Sequence, residues 1–228
     1  MKLSKRLQAI ADLIIKYKQG TILADIGTDH AFLPCYLVEK GMITKAYACD
    51  IASGPIRASK ETIQTHHLED SVIPLLGSGL NPIVDRDVDM ISICGMGGKL
   101  TVDILNEHRE LFDDHLFVLQ SNIGLEVLRE YLYQQQMEII DEGIVKDAHH
   151  IYEIIVCHKS KTPLEWTEND LYFGPCLRKT KAPLFYEKWQ RQLQTQKNIL
   201  AQLDSHHMRY QEVSHLIDLI EGEFNESK

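Results

Sequence analysis

The chain has 228 residues, a net charge of −9 and a hydrophobic fraction of 44%, which is ordinary for a globular protein with a sizeable core. No stretch approaches the roughly 18 apolar residues that a membrane helix needs, and no basic start followed by an apolar run predicts a signal peptide. Five scattered cysteines without a C-x-x-C pair favour reduced thiols and a cytoplasmic location, and the adjacent histidine pairs are poor metal sites.

The predicted elements alternate between helix and strand. Apolar residues at intervals of three and four, from Leu3 to Tyr17, predict an amphipathic first helix. Strands are predicted near residues 21–26, 45–49, 72–76, 88–94 and 115–120, and helices near 33–40, 53–66, 98–108 and 125–135. This alternation implies a parallel sheet covered by helices on both faces.

Segments 137–145 and 151–158 are separated by a polar, His-rich turn, so they predict a hairpin that adds an antiparallel edge strand to the sheet. Seven strands that end in a hairpin match the common methyltransferase sheet better than a dehydrogenase sheet. The predicted fold class is therefore α/β, with a Rossmann-like seven-stranded sheet whose last strand is antiparallel.

The pattern changes after Lys159. Residues 160–183 are rich in Pro, Thr, Lys and Gly, with a turn predicted at 173–175. Two apolar seams follow, one formed by Trp189, Leu193, Leu200 and Leu203 and the other by Tyr210, Val213, Ile217 and Ile220. The short break at 204–207 predicts that the two helices fold back antiparallel. We therefore divide the chain into a cofactor-binding domain, 1–160, and a C-terminal helical substrate-handling domain, 161–228; deletion of the latter should leave a folded core.

Acids and glycines stand where the predicted strands end. The first strand ends at Asp25 and turns on Gly27, the second ends at Asp50, and a third ends in the run Gly95-Met-Gly-Gly98. In open α/β sheets, ligands bind outside the carboxyl ends of the strands. A dinucleotide fingerprint would need more glycines in the first turn, and no P-loop occurs. The negative charge of Asp29 is unfavourable beside a pyrophosphate but favourable beside the ammonium of an amino-acid moiety. S-adenosylmethionine carries such an ammonium and no phosphate, so the sequence favours it as cofactor. Asp50 is placed to accept hydrogen bonds from the ribose hydroxyls.

Basic residues cluster in two segments of the acidic chain and are compatible with a phosphate-binding face. The cations predicted to contact RNA are Lys5, Arg6, Arg178, Lys179, Lys181, Lys188 and Arg191. Ordinary solvated helix faces would give the same pattern, and charge alone does not choose between the two.

Four motifs resemble the bacterial tRNA (adenine-N1)-methyltransferases that modify adenine 22. They are D-I-G-T-D-H-A-F-L-P at 25–34, G-S-G-L at 77–80, I-C-G-M-G-G at 93–98 and L-Q-S-N at 119–122. The resemblance covers the whole chain and implies a class I methyltransferase domain with a coiled-coil-like tail, S-adenosylmethionine as cofactor, and tRNA as partner.

Carried over by motif, the resemblance implies a set of site residues. The cofactor-binding set is Asp25, Gly27, Thr28, Asp29, His30, Asp50, Ile51, Ser78, Gly79, Leu80, Cys94 and Gly95. The catalytic set is Asp29, Gly95, Met96 and Gly97. Two residues depart from the family's pattern: Ser78 stands where Asp or Asn is more usual, and Ser121 where proline would be expected before Asn122.

Two other functions stay open at this point. The first is a methyltransferase for another acceptor, such as rRNA or a small molecule. The second is a non-catalytic RNA-binding protein that kept the fold, against which the intact Asp25, Gly27, Asp50 and Gly95–Gly98 set argues. Basic segments near both ends favour RNA over a small molecule.

Overall fold

The computed structural model describes residues 1–204 and 206–225 and contains a seven-stranded mixed sheet. The strands are β1 Ile22–Ile26, β2 Lys45–Asp50, β3 Val72–Leu76, β4 Met90–Met96, β5 Leu116–Ser121, β6 Met137–Asp147 and β7 His150–Lys159. The helices are α1 Lys5–Tyr17, α2 Phe32–Glu39, α3 Ser53–Thr65, α4 Gly98–Glu107, α5 Leu125–Gln134, α6 Glu168–Phe173, α7 Leu177–Thr180, α8 Pro183–Leu200 and α9 Met208–Asn225. Two short 3-10 turns lie at Asn81–Ile83 and Arg109–Phe112.

The strand order is β3-β2-β1-β4-β5-β7-β6, and the chain reverses its direction of winding between β1 and β4. The first five strands pair in parallel, as predicted. The hairpin and the antiparallel last strand are confirmed: β7 pairs antiparallel with β5, and β6 pairs antiparallel with β7 at the edge of the sheet. The turns after β1 and β4 therefore lie side by side at the switch point, where this kind of sheet binds ligands.

Each face of the sheet carries its own core, because successive side chains of a strand point to opposite faces. One core joins α1, α2 and α3 to one face through residues such as Ile14, Leu37 and Met90. The other joins α4 and α5 to the opposite face through residues such as Leu105, Leu128 and Phe117. The prediction of helices on both faces is confirmed.

The C-terminal helices form a third, smaller core around Phe173, Phe185, Trp189 and Ile220. Tyr186, near the start of α8, contacts Phe224, near the end of α9, with ring centroids 5.8 Å apart, so the two helices run antiparallel as predicted. The predicted break at 204–207 includes residue 205, which lies outside the described residues. Helices α6 and α7 fall in segment 160–183, for which the sequence predicted a turn at 173–175 but no helix.

A buried ion network joins this helical unit to the sheet. The Arg129 guanidinium on α5 pairs with Glu142 at 2.7 Å and Glu153 at 2.8 Å, and all three side chains are fully buried. Lys188 on α8 reaches the same Glu153 at 2.6 Å. The backbone N–H of Cys176 donates to Glu142 at 2.9 Å. The helical unit is thus held to β6 and β7 by charged groups as well as by apolar contacts.

Candidate functional site

The buried carboxylate of Asp25 closes β1. Its side chain is only 5% exposed, and the Ser92 hydroxyl on the neighbouring β4 donates to Asp25 Oδ1 at 2.6 Å. Burial raises the pKa of Asp25 to about 6, although the hydrogen bond from Ser92 acts in the opposite direction. Asp25 is therefore an acid poised to change charge just below neutral pH.

The turn after β1 is held tightly against β2. The backbone N–H groups of Gly27 and Thr28 both donate to the Cys49 carbonyl, at 2.9 and 3.0 Å. Gly27 has φ +73°, and a Cβ there would lie 2.1 Å from Cε of Met96. The positive φ favours glycine at this position, and the backbone surface is left open to a ligand.

Asp29 follows in a left-handed conformation, with φ 56°, which is uncommon for a residue other than glycine. Its N–H lies 3.4 Å from Asp50 Oδ2, and its carbonyl accepts a hydrogen bond from the Ser59 hydroxyl at 2.9 Å. The His30 imidazole lies 3.7 Å from the Asp29 carboxylate. Contacts from β2 and α3 thus hold the Asp29 backbone while its side chain stays exposed.

Gly27 lies between two cavities of different character. The first, of about 90 Å³, opens toward α1 and contains groups of both charges. It is lined by Arg6, Leu7, Asp25, Gly27, Thr28, Asp29, His30, Phe32, Leu33 and Cys94. Cys94 is half-buried, its thiol faces the Val118 carbonyl at 3.8 Å, and desolvation raises its pKa, so it is a neutral wall residue here.

The second cavity, of about 140 Å³, is mainly apolar and lies over the ends of β1 and β2. It is lined by Ile26, Gly27, Cys49, Asp50, Ile51, Gly77, Ser78, Gly79, Met96, Leu100 and Ile104. Asp50 Oδ1 accepts a hydrogen bond from the Ala52 N–H at 2.9 Å, which fixes the carboxylate at the rim. The side chain of Leu80, which the resemblance placed in the cofactor-binding set, is fully buried in the sheet core and anchors the turn that carries Ser78 and Gly79.

Hydrogen bonds join the Gly95–Gly98 loop to the loop that follows β5. The Asn122 N–H donates to the Met96 carbonyl at 2.7 Å, and Asn122 Nδ2 donates to the Gly95 carbonyl at 2.8 Å. The Gly98 N–H donates to the Ile123 carbonyl at 2.8 Å. A Cβ on Gly98 would lie 1.9 Å from the Gly124 carbonyl oxygen, so this close approach requires glycine.

Two further side chains add hydrogen bonds between these two loops. Gln120 Oε1 accepts from the Gly95 N–H at 3.2 Å, and its Nε2 donates to Asn122 Oδ1 at 3.1 Å. The Ser121 hydroxyl contacts the Ile123 and Met96 carbonyls at 2.8 and 3.2 Å. Ser121 therefore joins the two loops through its own hydroxyl.

Arg6, which the sequence predicted as an RNA contact, faces the first cavity. Its guanidinium donates to Gln120 Oε1 and lies 5.5 Å from the centroid of the Tyr152 ring. A Cβ on Gly95 would lie 3.1 Å from Arg6 Nη1, so the guanidinium also borders the glycine loop. The sequence could not indicate this, because Arg6 and Gln120 are brought together only by the packing of α1 on the sheet.

The other predicted RNA contacts divide into two groups. Arg178 pairs with Asp170 at 2.7 Å and with Glu223 at 2.8 Å, and Lys181 also pairs with Glu223, at 3.0 Å. Lys188 belongs to the buried ion network, and Arg191 pairs with Glu187 on its own helix. Lys5 and Lys179 are exposed. Most cations of the C-terminal cluster thus have structural partners.

Among residues 1–204 and 206–225, no helix is long and apolar enough to cross a bilayer. The same residues contain no group of three or more His, Cys, Asp or Glu side chains placed to hold a metal ion. The five cysteines are all free thiols.

Comparisons with known proteins agree with this geometry. The family model of TrmK, described as tRNA (adenine(22)-N(1))-methyltransferase, matches residues 23–222. The tRNA (adenine(22)-N(1))-methyltransferase of Bacillus subtilis (strain 168) is 35% identical over 208 residues, which are 89% of this chain and 86% of that protein.

Solved structures give the same relationship. A Streptococcus pneumoniae structure in complex with S-adenosyl-L-methionine is 32% identical, with a TM-score of 0.88 over 97% of this chain and 99% of that one. M. capricolum TrmK in complex with S-adenosyl-homocysteine is 26% identical, with a TM-score of 0.88 over 99% of each chain. The family match, the class I sheet and the glycine-lined cavities lead to one conclusion: this chain belongs to the TrmK family of tRNA (adenine(22)-N(1))-methyltransferases.

Proposed function

We propose that this chain transfers a methyl group from S-adenosylmethionine to N1 of adenine 22 in tRNA, and that it holds the cofactor across Gly27. We assign the cofactor-binding residues from one observation: two cavities meet at Gly27, one lined by charged groups and the other mainly apolar. S-adenosylmethionine has the same two halves, a charged amino-acid moiety and an adenosine. The backbone of Gly27, which has no Cβ, can pass close beneath the middle of such a ligand.

The charged cavity fits the amino-acid moiety. Asp25 and Asp29 supply carboxylates for its ammonium, and Arg6 supplies a guanidinium for its carboxylate. A pyrophosphate would instead meet the two carboxylates, which is unfavourable. This arrangement supports S-adenosylmethionine over a dinucleotide, and it is the basis on which we propose Arg6 as a contact of the cofactor rather than of RNA.

The apolar cavity fits the adenosine. Asp50, fixed at the rim by the Ala52 N–H, is placed to accept hydrogen bonds from the ribose hydroxyls. Ile51 and Leu100 supply aliphatic surface for the adenine faces, and they are 71% and 52% exposed. Ser78 and Gly79 offer backbone groups to the adenine edge, which suits a position where the family more often has an acidic or amide side chain.

Asp50→Ala should weaken S-adenosylmethionine binding by about 1–3 kcal/mol, the scale for losing a hydrogen-bonded partner of a charged group. Isothermal titration calorimetry without RNA measures this directly. Asp87→Ala is the control, because Asp87 is exposed and lines neither cavity. Equal affinity in both variants would remove Asp50 from the ribose site.

The proposed chemistry depends on position more than on proton transfer. S-adenosylmethionine supplies an electrophilic methyl group on a sulfonium. Adenine N1 has an in-plane lone pair, so Asp29, Gly95, Met96 and Gly97 are assigned to positioning the reactants. In well-oriented systems, alignment alone lowers the barrier by up to about 7–11 kcal/mol. The hydrogen bonds from Asn122 to the Gly95 and Met96 carbonyls support a positioning role for the Gly95–Gly98 loop, because they hold its backbone in place.

N1 lies on the base-pairing edge of adenine, so the base must leave its helix before it can react. The Gly95–Gly98 loop offers backbone N–H and C=O groups to that edge, with Met96 near one face. Exposed Ile123, whose side chain lies 3.6 Å from a Cβ placed on Gly97, borders the same space.

The acceptor is tested with two transcripts of one tRNA, one with adenine at position 22 and the other with guanine there. Purified protein with radiolabelled S-adenosylmethionine should methylate only the first, and nucleoside mass spectrometry should identify 1-methyladenosine. Equal labelling of both transcripts would point to another acceptor position. Labelling of neither, but labelling of rRNA or a small molecule, would favour the alternative acceptors.

We place the RNA-binding face on the exposed cations, with Lys5 and Lys179 as its predicted members. Each phosphate contact releases counterions, so affinity for tRNA should fall with rising salt. Lys5→Ala with Lys179→Ala should reduce the slope of log affinity against log salt by about 1–2. An unchanged slope, measured by filter binding, would place the face elsewhere. The five free thiols support action in the reducing cytoplasm, where tRNA is located.

A further inference from the structure

A third cavity, of about 420 Å³, lies between the loop after β5 and the C-terminal helices. It is lined by Asn122, Ile123, Gly124, Leu125, Glu126, Tyr172, Lys188, Trp189, Gln192, Gln196 and Leu216. Its volume falls in the range of small-molecule pockets, roughly 300–1,000 Å³. It is separate from the two cavities at Gly27, and its walls come from both parts of the chain.

One wall of this cavity is shared with the glycine loop. Asn122, Ile123 and Gly124 line the cavity, and their other contacts hold Gly95–Gly98 in place through the Asn122 side chain and the Ile123 carbonyl. A group bound here would therefore stand next to the base that enters over Gly97, separated from it by a single loop.

The other wall carries groups suited to a nucleobase. Tyr172 and Trp189 are aromatic, and Gln192 and Gln196 have amides that can both donate and accept. Trp189 is 6% exposed, and its indole Nε1 has no hydrogen-bond partner within residues 1–204 and 206–225. This nitrogen is itself inaccessible to solvent, so Trp189 contributes part of its ring to the cavity lining and not its N–H.

We propose that this cavity binds a second, unpaired nucleobase of the tRNA, next to the adenine that is methylated. This proposal rests on the proposed function, because it assumes that the glycine loop receives a base of tRNA. When the target base leaves its stack, its neighbour loses a stacking partner. Aromatic side chains commonly receive such unstacked bases in RNA complexes.

The chain offers a direct optical readout, because it has only two tryptophans, Trp166 and Trp189. Trp166 stacks on Tyr133, with centroids 5.6 Å apart, and does not line the cavity. In the Trp166→Phe variant, all indole fluorescence comes from Trp189. Titration with the tRNA transcript, at saturating S-adenosylhomocysteine, should quench or shift this emission with the same midpoint as binding measured by filter assay.

Two substitutions test the cavity without emptying the small core. Trp189→Phe keeps an aromatic ring in the small core but reduces the ring surface that lines the cavity, and Gln192→Ala removes an amide from the lining. Each should raise KM for tRNA about tenfold, the scale of one lost base contact, while affinity for S-adenosylmethionine stays unchanged. Gln190→Ala is the matched control, since Gln190 is exposed on the same helix and does not line the cavity.

The outcomes separate this proposal from the proposed function. Wild-type methylation of tRNA with no change in Trp189 emission, and with normal KM in both variants, would overturn the cavity proposal alone. A wild-type protein that neither binds nor methylates tRNA would overturn the proposed function. A raised KM for tRNA in the two variants, with the control unaffected, would support the cavity as a second base site.

Discussion

Cofactor affinity should depend on pH through Asp25. Burial raises the pKa of Asp25 to about 6, and the proposed site sets this carboxylate opposite the cofactor ammonium, which the ionised form attracts more strongly. At pH 5 only about one molecule in ten has Asp25 ionised, so binding should be about tenfold weaker than at pH 8, which is about 1.4 kcal/mol. The unliganded fold has the opposite dependence: a carboxyl whose pKa is raised by folding lowers stability as pH rises from about 4 to about 6.

Calorimetric titration with S-adenosylmethionine from pH 5 to pH 8 measures the predicted change. Asp25→Asn should remove most of the pH dependence, because the amide oxygen can still accept from the Ser92 hydroxyl but carries no charge. His30 lines the same cavity, so His30→Asn is the control and should retain the slope. A slope that persists in Asp25→Asn and disappears in His30→Asn would refute the assignment to Asp25.

Two further predictions follow from close contacts. Gly98→Ala should abolish methylation or unfold the site, because the new methyl group would lie 1.9 Å from a backbone carbonyl oxygen. Gly54→Ala is the control: its methyl group meets nothing within 4 Å, so the change should be neutral or stabilise the fold by up to about 1 kcal/mol. Urea denaturation measures the stability of both variants, and a methylation assay measures their activity. Lys188→Met leaves the buried Glu153 with one cation fewer and should reduce the free energy of unfolding by about 3 kcal/mol. Arg191→Met, which breaks an exposed pair on the same helix, should cost less than about 1 kcal/mol, and similar urea midpoints for the two variants would contradict the structural role of Lys188.

Local patterns were sufficient to predict the sheet and the turns that form the two cavities. Asp25, Gly27 and Asp50 follow buried strands, and the carboxyl ends of parallel strands meet at one edge, so their proximity follows from chain order. Helix α6 could also have been predicted, because Thr167 and Asp170 form a capping box that is visible in the sequence.

Contacts between distant segments could not be predicted in this way. Arg6 and Lys188 are both cations on amphipathic helices, and nothing local distinguishes them from solvent-exposed lysines. The fold alone brings Arg6 to Gln120 and Lys188 to Glu153. Leu80 is the reverse case, because a residue in a binding motif turned out to support the motif from the core.

The buried ion network has a consequence for how this family can diverge. Loss of one member leaves a buried charge of the opposite sign without its partner, whereas joint replacement by apolar residues of similar volume is often tolerated. Substitution of Arg129, Glu142 or Glu153 alone should therefore destabilise the fold. We expect these three residues to be retained together or replaced together. Because Lys188 of α8 pairs with Glu153 of β7, the position of the C-terminal helices on the sheet depends on the same set of charges.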